Sequence, residues 1–267
     1  MKEKIKFKGS QRELILLTVF AIVLLIMRFI GLDSYVNHIA NLGLIFVVLA
    51  LSLNLINGFT GLFSLGHAGF MAVGAYAVAC LTMSQDAKEK YYLIEPAYPW
   101  LKAITLPYLP ALLIAGLLTA GLGLLIALPV LRLNDDYLAI ASLGFAEIIL
   151  VFVRTQVRVT NGALGLKGIP QHKDLLLTGA IALAVIIFMI LLTRSSYGRA
   201  LMAIRDDEIA AAAMGINVYR HKVISFTISS FLAGIGGGML AALVGTISPV
   251  QFQFVTTLNI LLIVVIG

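Results

Sequence analysis

The sequence is poor in charged residues, which make up only 12% of its 267 residues, whereas hydrophobic residues make up 60%. A soluble domain of this length could not hide that much apolar surface, so the composition excludes one and predicts an integral membrane protein. The apolar runs are long and lack the period-two alternation of barrel strands. Helices are the other structure that satisfies the backbone in lipid, and we therefore predict an all-α, polytopic transmembrane helical bundle.

Short motifs of catalytic and nucleotide-binding sites are also absent. The sequence contains no Walker-type phosphate loop (G-x-x-x-x-G-K-[ST]) and no GxSxG, HExxH or dinucleotide-binding fingerprint. We therefore expect that the chain is not an enzyme, binds no cofactor and cannot hydrolyse ATP by itself. The only cysteine, Cys80, lies inside an apolar run and indicates neither a disulfide nor a metal site. No second histidine, cysteine or acid has metal-ligand spacing near His67, so we expect no metal there.

The basic residues predict how the chain is oriented. The net charge is +6, and the Lys and Arg residues stand at the ends of apolar runs, which is typical of membrane flanks and not of a nucleic-acid surface. When the N-terminus is placed in the cytoplasm, most of the 19 Lys and Arg residues fall on the cytoplasmic side. We therefore predict a multi-pass protein in the lipid bilayer with a cytoplasmic N-terminus and no nucleic-acid partner.

The apolar runs predict about eight spans, since a helix needs about 20 residues to cross a bilayer. The last run begins at Leu258 and stops at Gly267, which is too short to cross. We therefore expect a truncated last span and at least one further span in the parent protein. The predicted spans are 14–30, 39–56, 67–83, 106–130, 137–153, 175–193, 223–244 and 258–267.

Glycine interrupts the apolar sequence that follows Asn54, NLINGFTGLFSLGHAGFMAVGAYAVA. At membrane depth, repeated glycine permits close approach of helices, and it also permits a broken or re-entrant backbone that lines a transport path. The sequence leaves both structures open. The candidate translocation-path positions in this run are Gly58, Gly61, Ser64, Gly66, His67 and Gly69.

Two ionisable residues, His67 and Glu147, lie inside predicted spans. A carboxylate near the middle of a span costs about 2.5–3.5 kcal/mol on insertion scales unless it is protonated or paired. We therefore expect Glu147 to face the bundle interior, where it contacts substrate, pairs with Arg154 two turns later, or bridges helices. His67 is either a functional group or a neutral histidine hydrogen-bonded to a neighbouring helix. Both residues are candidates for the translocation path.

A charged segment, 195–222, separates the apolar runs 175–193 and 223–244. Because both runs are long enough to cross a bilayer, this segment lies in water or at the membrane surface. Its Ala-rich part, 204–214, favours a helix with acids in the first turn and a stop at a glycine. Such a helix is either a docking element for a soluble partner or an ordinary loop helix. The candidate docking residues are Arg205, Asp206, Asp207, Glu208, Ala212 and Gly215.

Two polar segments, 84–104 and 154–174, connect spans on the opposite side of the predicted membrane. The first contains an aromatic cluster suited to the headgroup zone, and the second contains glycines and a proline that favour irregular backbone. Each segment either faces an extracytoplasmic partner or is a simple loop.

Three stretches of the chain resemble the LivM-like permease subunits of branched-chain amino acid ABC importers. They are NGFTGLFSLGHAGFMAVGAYA (57–77), LRLNDDYLAIASLGFAEI (131–148) and SSYGRALMAIRDDEIAAAAMGINVYRHKVISFTISSFLAGIGGGMLA (195–241). They lie in the family's order and, with the spans between them, account for most of the chain. The resemblance implies a bacterial inner-membrane protein in which 1–267 is a single permease domain, 195–222 is a cytoplasmic coupling loop, and 205–215 is its coupling helix.

The resemblance also implies partners and cargo. The expected partners are a second, LivH-like permease subunit, two cytoplasmic ATPase subunits that hydrolyse ATP, and a periplasmic substrate-binding protein. Leucine, isoleucine and valine are the expected substrates, whereas similar permeases carry urea and short amides. A proton-coupled secondary transporter, with Glu147 or His67 as a titrating gate, is the alternative from another class.

Overall fold

The computed structural model describes residues 17–20, 22, 33–92, 95–132 and 135–266. The described chain is almost entirely helical, which confirms the predicted all-α fold class. Its helices are α1 Ser34–Asn54, α2 His67–Thr82, α3 Gln85–Tyr91, α4 Pro99–Ala103, α5 Tyr108–Val130, α6 Asp135–Thr155, α7 Val157–Thr160, α8 Leu175–Arg194, α9 Ser196–Asp206, α10 Glu208–Ala213, α11 Val218–Val244 and α12 Phe254–Ile266.

Short irregular elements connect these helices. A π-helical turn, Leu55–Phe59, ends α1, and 3-10 turns occupy Gly162–Leu164 and Pro249–Phe252. Two-residue strands, β1 Leu166–Lys167 and β2 Thr246–Ile247, pair antiparallel. This pairing attaches the polar segment 154–174 to the end of α11.

Five helices of the described chain are long and apolar enough to cross a membrane, and α2 with α3 makes a sixth if this pair, bent by 117°, is one span. The predicted span 14–30 lies mainly outside the described residues. α12 has only 13 residues, so it is shorter than a span. The predicted number of about eight spans is therefore not confirmed, whereas the polytopic bundle is. The five spans are Ser34–Phe59, Tyr108–Val130, Tyr137–Thr155, Leu175–Arg194 and Val218–Val244.

Helix α11 is the centre of the bundle and packs against α1, α2 and α5. The glycines of α11 lie close to different neighbouring helices, because glycine has no side chain to keep the backbones apart. A Cβ on Gly234 would meet Thr119 of α5, and a Cβ on Gly237 would meet the Met71 carbonyl of α2. This close packing fills the interior of the bundle around α11.

The connections gather at two ends of the bundle. Segment 195–217 joins α8 to α11 at one end. At the other end, the Tyr92 hydroxyl donates to the Val159 carbonyl (2.6 Å), and Arg158 forms an ion pair with Glu95 (2.6 Å). The two polar segments predicted to share one side of the membrane are thus in direct contact.

Candidate functional site

The charged segment folds as two helices, so the prediction of one helix over 204–214 is wrong. Helix α9 ends at Asp206, and Asp207 is extended (φ −159°, ψ 108°). The Asp207 carboxylate accepts hydrogen bonds from the N–H groups of Ile209 and Ala210, both at 2.9 Å, and so caps α10. The break follows from this side chain, because aspartate at a helix start satisfies free N–H groups that a continuous helix would not offer.

The end of α10 is where the sequence predicted it. Gly215 has φ +84°, a conformation that favours glycine, and its N–H donates to the Ala212 carbonyl at 3.0 Å. Apolar side chains around this short helix are turned to solvent: Ile209 and Met214 are each 83% exposed. These exposed apolar side chains are available for contact with a protein or with the membrane surface.

Side chains on α9 and α10 attach this segment to α11. The Glu208 carboxylate pairs with Lys222 at 2.5 Å, and the Lys222 side chain is only 8% exposed. Tyr197 stacks on His221 with ring centroids 5.0 Å apart and donates its hydroxyl hydrogen to the His221 carbonyl. Burial raises the pKa of the Tyr197 hydroxyl, so it remains a neutral donor. An ion pair thus attaches α10 to the start of α11, and a ring stack and a hydrogen bond attach α9 to it.

Arg205 attaches the segment to the glycine-rich run. Its Nη1 donates to the Gly58 carbonyl at 3.1 Å, and its Nε and Nη2 donate to Asp206 at 3.1 and 2.9 Å. Gly61 has φ +76°, and a Cβ there would lie 2.7 Å from Arg205 Cγ. The sequence singled out these residues for two separate roles, and it carried no signal for the contact between them.

The glycine-rich run contains both a break in the helical backbone and glycines in close helix packing. Its first half contains a break: α1 continues through the π-turn to Phe59, and no helix resumes before His67. In its second half, glycines pack against other helices. A Cβ on Gly66 would meet the Ser142 carbonyl, and one on Gly69 would lie 2.9 Å from Ala146 Cα. The break is thus held next to α6 by close packing.

His67 begins α2 and is buried, with its Nε2 2.6 Å from the Ser52 hydroxyl of α1. The Ser52 carbonyl also accepts a hydrogen bond from Ser229 of α11 at 2.5 Å. This arrangement is the histidine hydrogen-bonded to a neighbouring helix that the sequence left as one alternative. Ser64 is also buried, and its hydroxyl has no partner among the described residues.

Glu147 does not face the bundle interior, and that prediction is wrong. Glu147 is exposed, whereas Ser142 and Ala146 are buried on the face of α6 that packs against α2. In the described residues the Glu147 carboxylate forms no ion pair, so the pair with Arg154, one of the three alternatives for this residue, is not present either. The physical reason is the rotation of α6, since small residues occupy the face that approaches α2.

A cavity of about 680 Å³ opens between α2, α5 and α6. Its lining is apolar, with side chains such as Leu122, Phe145, Ile148 and Phe152. A zwitterion would leave its charges unpaired here, so the cavity suits hydrocarbon and not an amino acid.

Comparisons with known proteins find transport permeases. The family model described as branched-chain amino acid transport system / permease component matches residues 35–267. The chain is 34% identical over 263 residues to the high-affinity branched-chain amino acid transport system permease protein LivM of Escherichia coli K12, covering 86% of this chain and 57% of that protein. It is 24% identical over 226 residues to a probable LivM permease of Methanocaldococcus jannaschii, covering 72% and 63% of the two chains. It is 26% identical over 191 residues to a probable LivH permease of that organism, covering 64% and 61%.

The chain spans less than two thirds of the length of these relatives. No solved structure matches it. The bundle of apolar helices and the permease relatives together show a multi-pass membrane protein of a transporter family. Because the family model matches most of the chain, the resemblance seen in the sequence is confirmed: the chain belongs to the family of branched-chain amino acid transport system permease components.

Proposed function

We propose that the chain is the membrane-spanning permease subunit of an ATP-binding cassette importer for leucine, isoleucine and valine in the bacterial inner membrane. The single observation that carries the proposal is the segment 195–217, which presents exposed Ile209 and Met214 to the solvent and holds the glycine-rich break through Arg205. This geometry connects the exposed surface of α10 to the π-turn that precedes the break in the glycine-rich run. Membership of the permease family supports it.

In this proposal, partner subunits supply the energy for transport. The sequence has no phosphate-binding loop, so two cytoplasmic ATPase subunits hydrolyse ATP, and this chain binds no cofactor. An ATPase docks on α10 and displaces it. The Glu208–Lys222 pair and the Arg205–Gly58 hydrogen bond pass that displacement to α11 and to the π-turn that precedes the break. Interfaces with discrete packing arrangements convert a small displacement into a switch between states.

The other partners bind elsewhere. A LivH-like permease is the second subunit, and the likeness to a probable LivH permease supports a partner of similar architecture. A periplasmic binding protein delivers substrate to the end formed by segments 84–104 and 154–174, which the Arg158–Glu95 pair holds together. The N-terminus and the coupling segment lie in the cytoplasm. Substrate selection resides largely in the periplasmic binding protein.

The test is co-purification of the ATPase with the complete protein. Ile209→Asp and Met214→Asp place a charge on the exposed surface of α10, and we expect both to release the ATPase while the permease remains in the membrane. Val250→Asp is the matched control, because Val250 is 64% exposed at the opposite end of the bundle. ATPase binding that survives both α10 substitutions would refute the docking role.

Transport in proteoliposomes then identifies the driving force and the cargo. The proposal expects ATP-dependent uptake of L-leucine with the binding protein present. Uptake that collapses with the proton gradient while ATP is plentiful would favour a proton-coupled transporter. Uptake of urea or acetamide without uptake of leucine would assign the complex to short amides.

A further inference from the structure

Glu147 carries a carboxylate at the middle of a membrane span and on its surface. It lies near the midpoint of the span Tyr137–Thr155, and its residue is exposed. Among the described residues, no cation or hydrogen-bond donor contacts the carboxylate. An ionised group in contact with acyl chains is unfavourable, and such groups in spans face a protein interior or an aqueous path. The described residues therefore leave an ionised Glu147 without the polar partner that it needs in a membrane.

The rotation of α6 separates three faces. Ser142 and Ala146 pack against the glycines of α2. Ile148 and Phe152 line the apolar cavity. Helical spacing places Glu147 on the third face, together with Ile140, Gly144, Val151 and Arg154, all of them exposed. Glu147 thus lies on a face of α6 that is separate from the packed face and from the apolar cavity.

Gly144 supplies a second observation on the same face. It lies one turn before Glu147, and a Cβ built on it would meet no atom within 4 Å. Glycine in a helix interior is unfavourable relative to alanine, and the packing of the described residues does not require it at this position. The missing side chain leaves room beside the carboxylate for another molecule.

Resting on the proposed function, we propose that Glu147 lines the translocation path and that its carboxylate binds the α-ammonium group of the amino-acid substrate. The path runs between this chain and the second permease subunit, since the close packing of α11 leaves the bundle centre closed. A carboxylate and an ammonium group form a charge-assisted hydrogen bond. Exposed Ile140 and Val151, one to two turns away, offer apolar contacts to a branched side chain.

The first experiment measures water access at single cysteines in the assembled complex. Glu147→Cys and the matched control Ile148→Cys differ by one position, and the native Cys80 is buried. We expect (2-aminoethyl) methanethiosulfonate to modify Glu147→Cys and to spare Ile148→Cys, because the reagent attacks a thiolate that exists only in contact with water. Mass spectrometry of this chain quantifies the modification, and L-leucine supplied with the binding protein should slow it.

The second experiment tests the charge. In proteoliposomes with ATP, Glu147→Gln keeps the shape and removes the charge, and we expect leucine uptake at subsaturating substrate to fall ~10-fold or more, the scale of a lost hydrogen bond to a charged group. Glu147→Asp should restore most of the uptake. Co-purification of the other subunits shows that each variant assembles.

The outcomes separate the two proposals. Equal modification of both cysteine variants, or wild-type uptake by Glu147→Gln, would overturn the role of Glu147 and leave the permease function standing. A loss of assembly in Glu147→Gln would show a subunit contact in place of a substrate contact, and it would also overturn the inference. If the wild-type complex takes up no leucine with ATP, the proposed function fails and this inference falls with it.

Discussion

Substituting Gly61 by alanine tests the contact between the coupling segment and the break. The new Cβ would require an L side chain at φ +76° and would lie 2.7 Å from Arg205 Cγ and 3.3 Å from Arg205 Cα. The left-handed backbone costs about 1–2 kcal/mol, and overpacking costs typically 1–3 kcal/mol. Gly61→Ala should therefore lower the free energy of unfolding by about 2–5 kcal/mol.

Gly215→Ala separates backbone strain from the clash. Gly215 has a similar φ of +84°, but a Cβ there meets no atom within 4 Å. We expect Gly215→Ala to lower the free energy of unfolding only by the cost of the left-handed backbone, about 1–2 kcal/mol. Denaturation of the detergent-purified protein compares the two variants, and ATP-driven uptake should fall in Gly61→Ala because Arg205 is pushed from the Gly58 carbonyl.

A double-mutant cycle decides whether the Arg205 side chain causes the difference. Arg205→Ala removes Cγ, whereas Cβ, at 3.2 Å from the added atom, remains. In the Arg205→Ala background, the decrease in the free energy of unfolding caused by Gly61→Ala should be about 1–3 kcal/mol smaller than in the wild type. Additive losses, or equal losses in Gly61→Ala and Gly215→Ala, would refute the argument.

The remaining predictions concern coupling, packing and the buried histidine. Glu208→Arg places a cation beside the buried lysine with which Glu208 pairs (2.5 Å), and uptake should fall while membrane expression, measured by immunoblot, stays normal; undiminished uptake would count against coupling through α10. Gly69→Leu should prevent assembly because its Cβ already lies 2.9 Å from Ala146, whereas Gly121→Leu, with no atom within 4 Å, should assemble normally in size-exclusion chromatography. Ser52→Ala removes the partner of His67 at 2.6 Å and should cost about 1–3 kcal/mol in denaturation; an unchanged midpoint would contradict that.

The sequence by itself determined the all-α class and most span positions. The predicted spans 106–130 and 175–193 correspond to Tyr108–Val130 and Leu175–Arg194, since the thickness of a bilayer demands a continuous apolar run of defined length. It also determined the end of α10 at Gly215, because that stop depends on local backbone conformation. Both are properties of neighbouring residues and of the solvent, which a sequence displays directly.

The tertiary structure decided which faces and segments meet. All faces of a span are apolar, so periodicity could not show that α6 is rotated with Ala146 inward and Glu147 outward. The contact of Arg205 with Gly58 joins residues 147 positions apart, and it depends on how α1, α9 and α11 pack together. Even the break at Asp207 reflects competition between a local cap and a continuous helix. Sequence thus determined which segments are long and apolar enough to span a membrane, and only packing decided which side chains face the site.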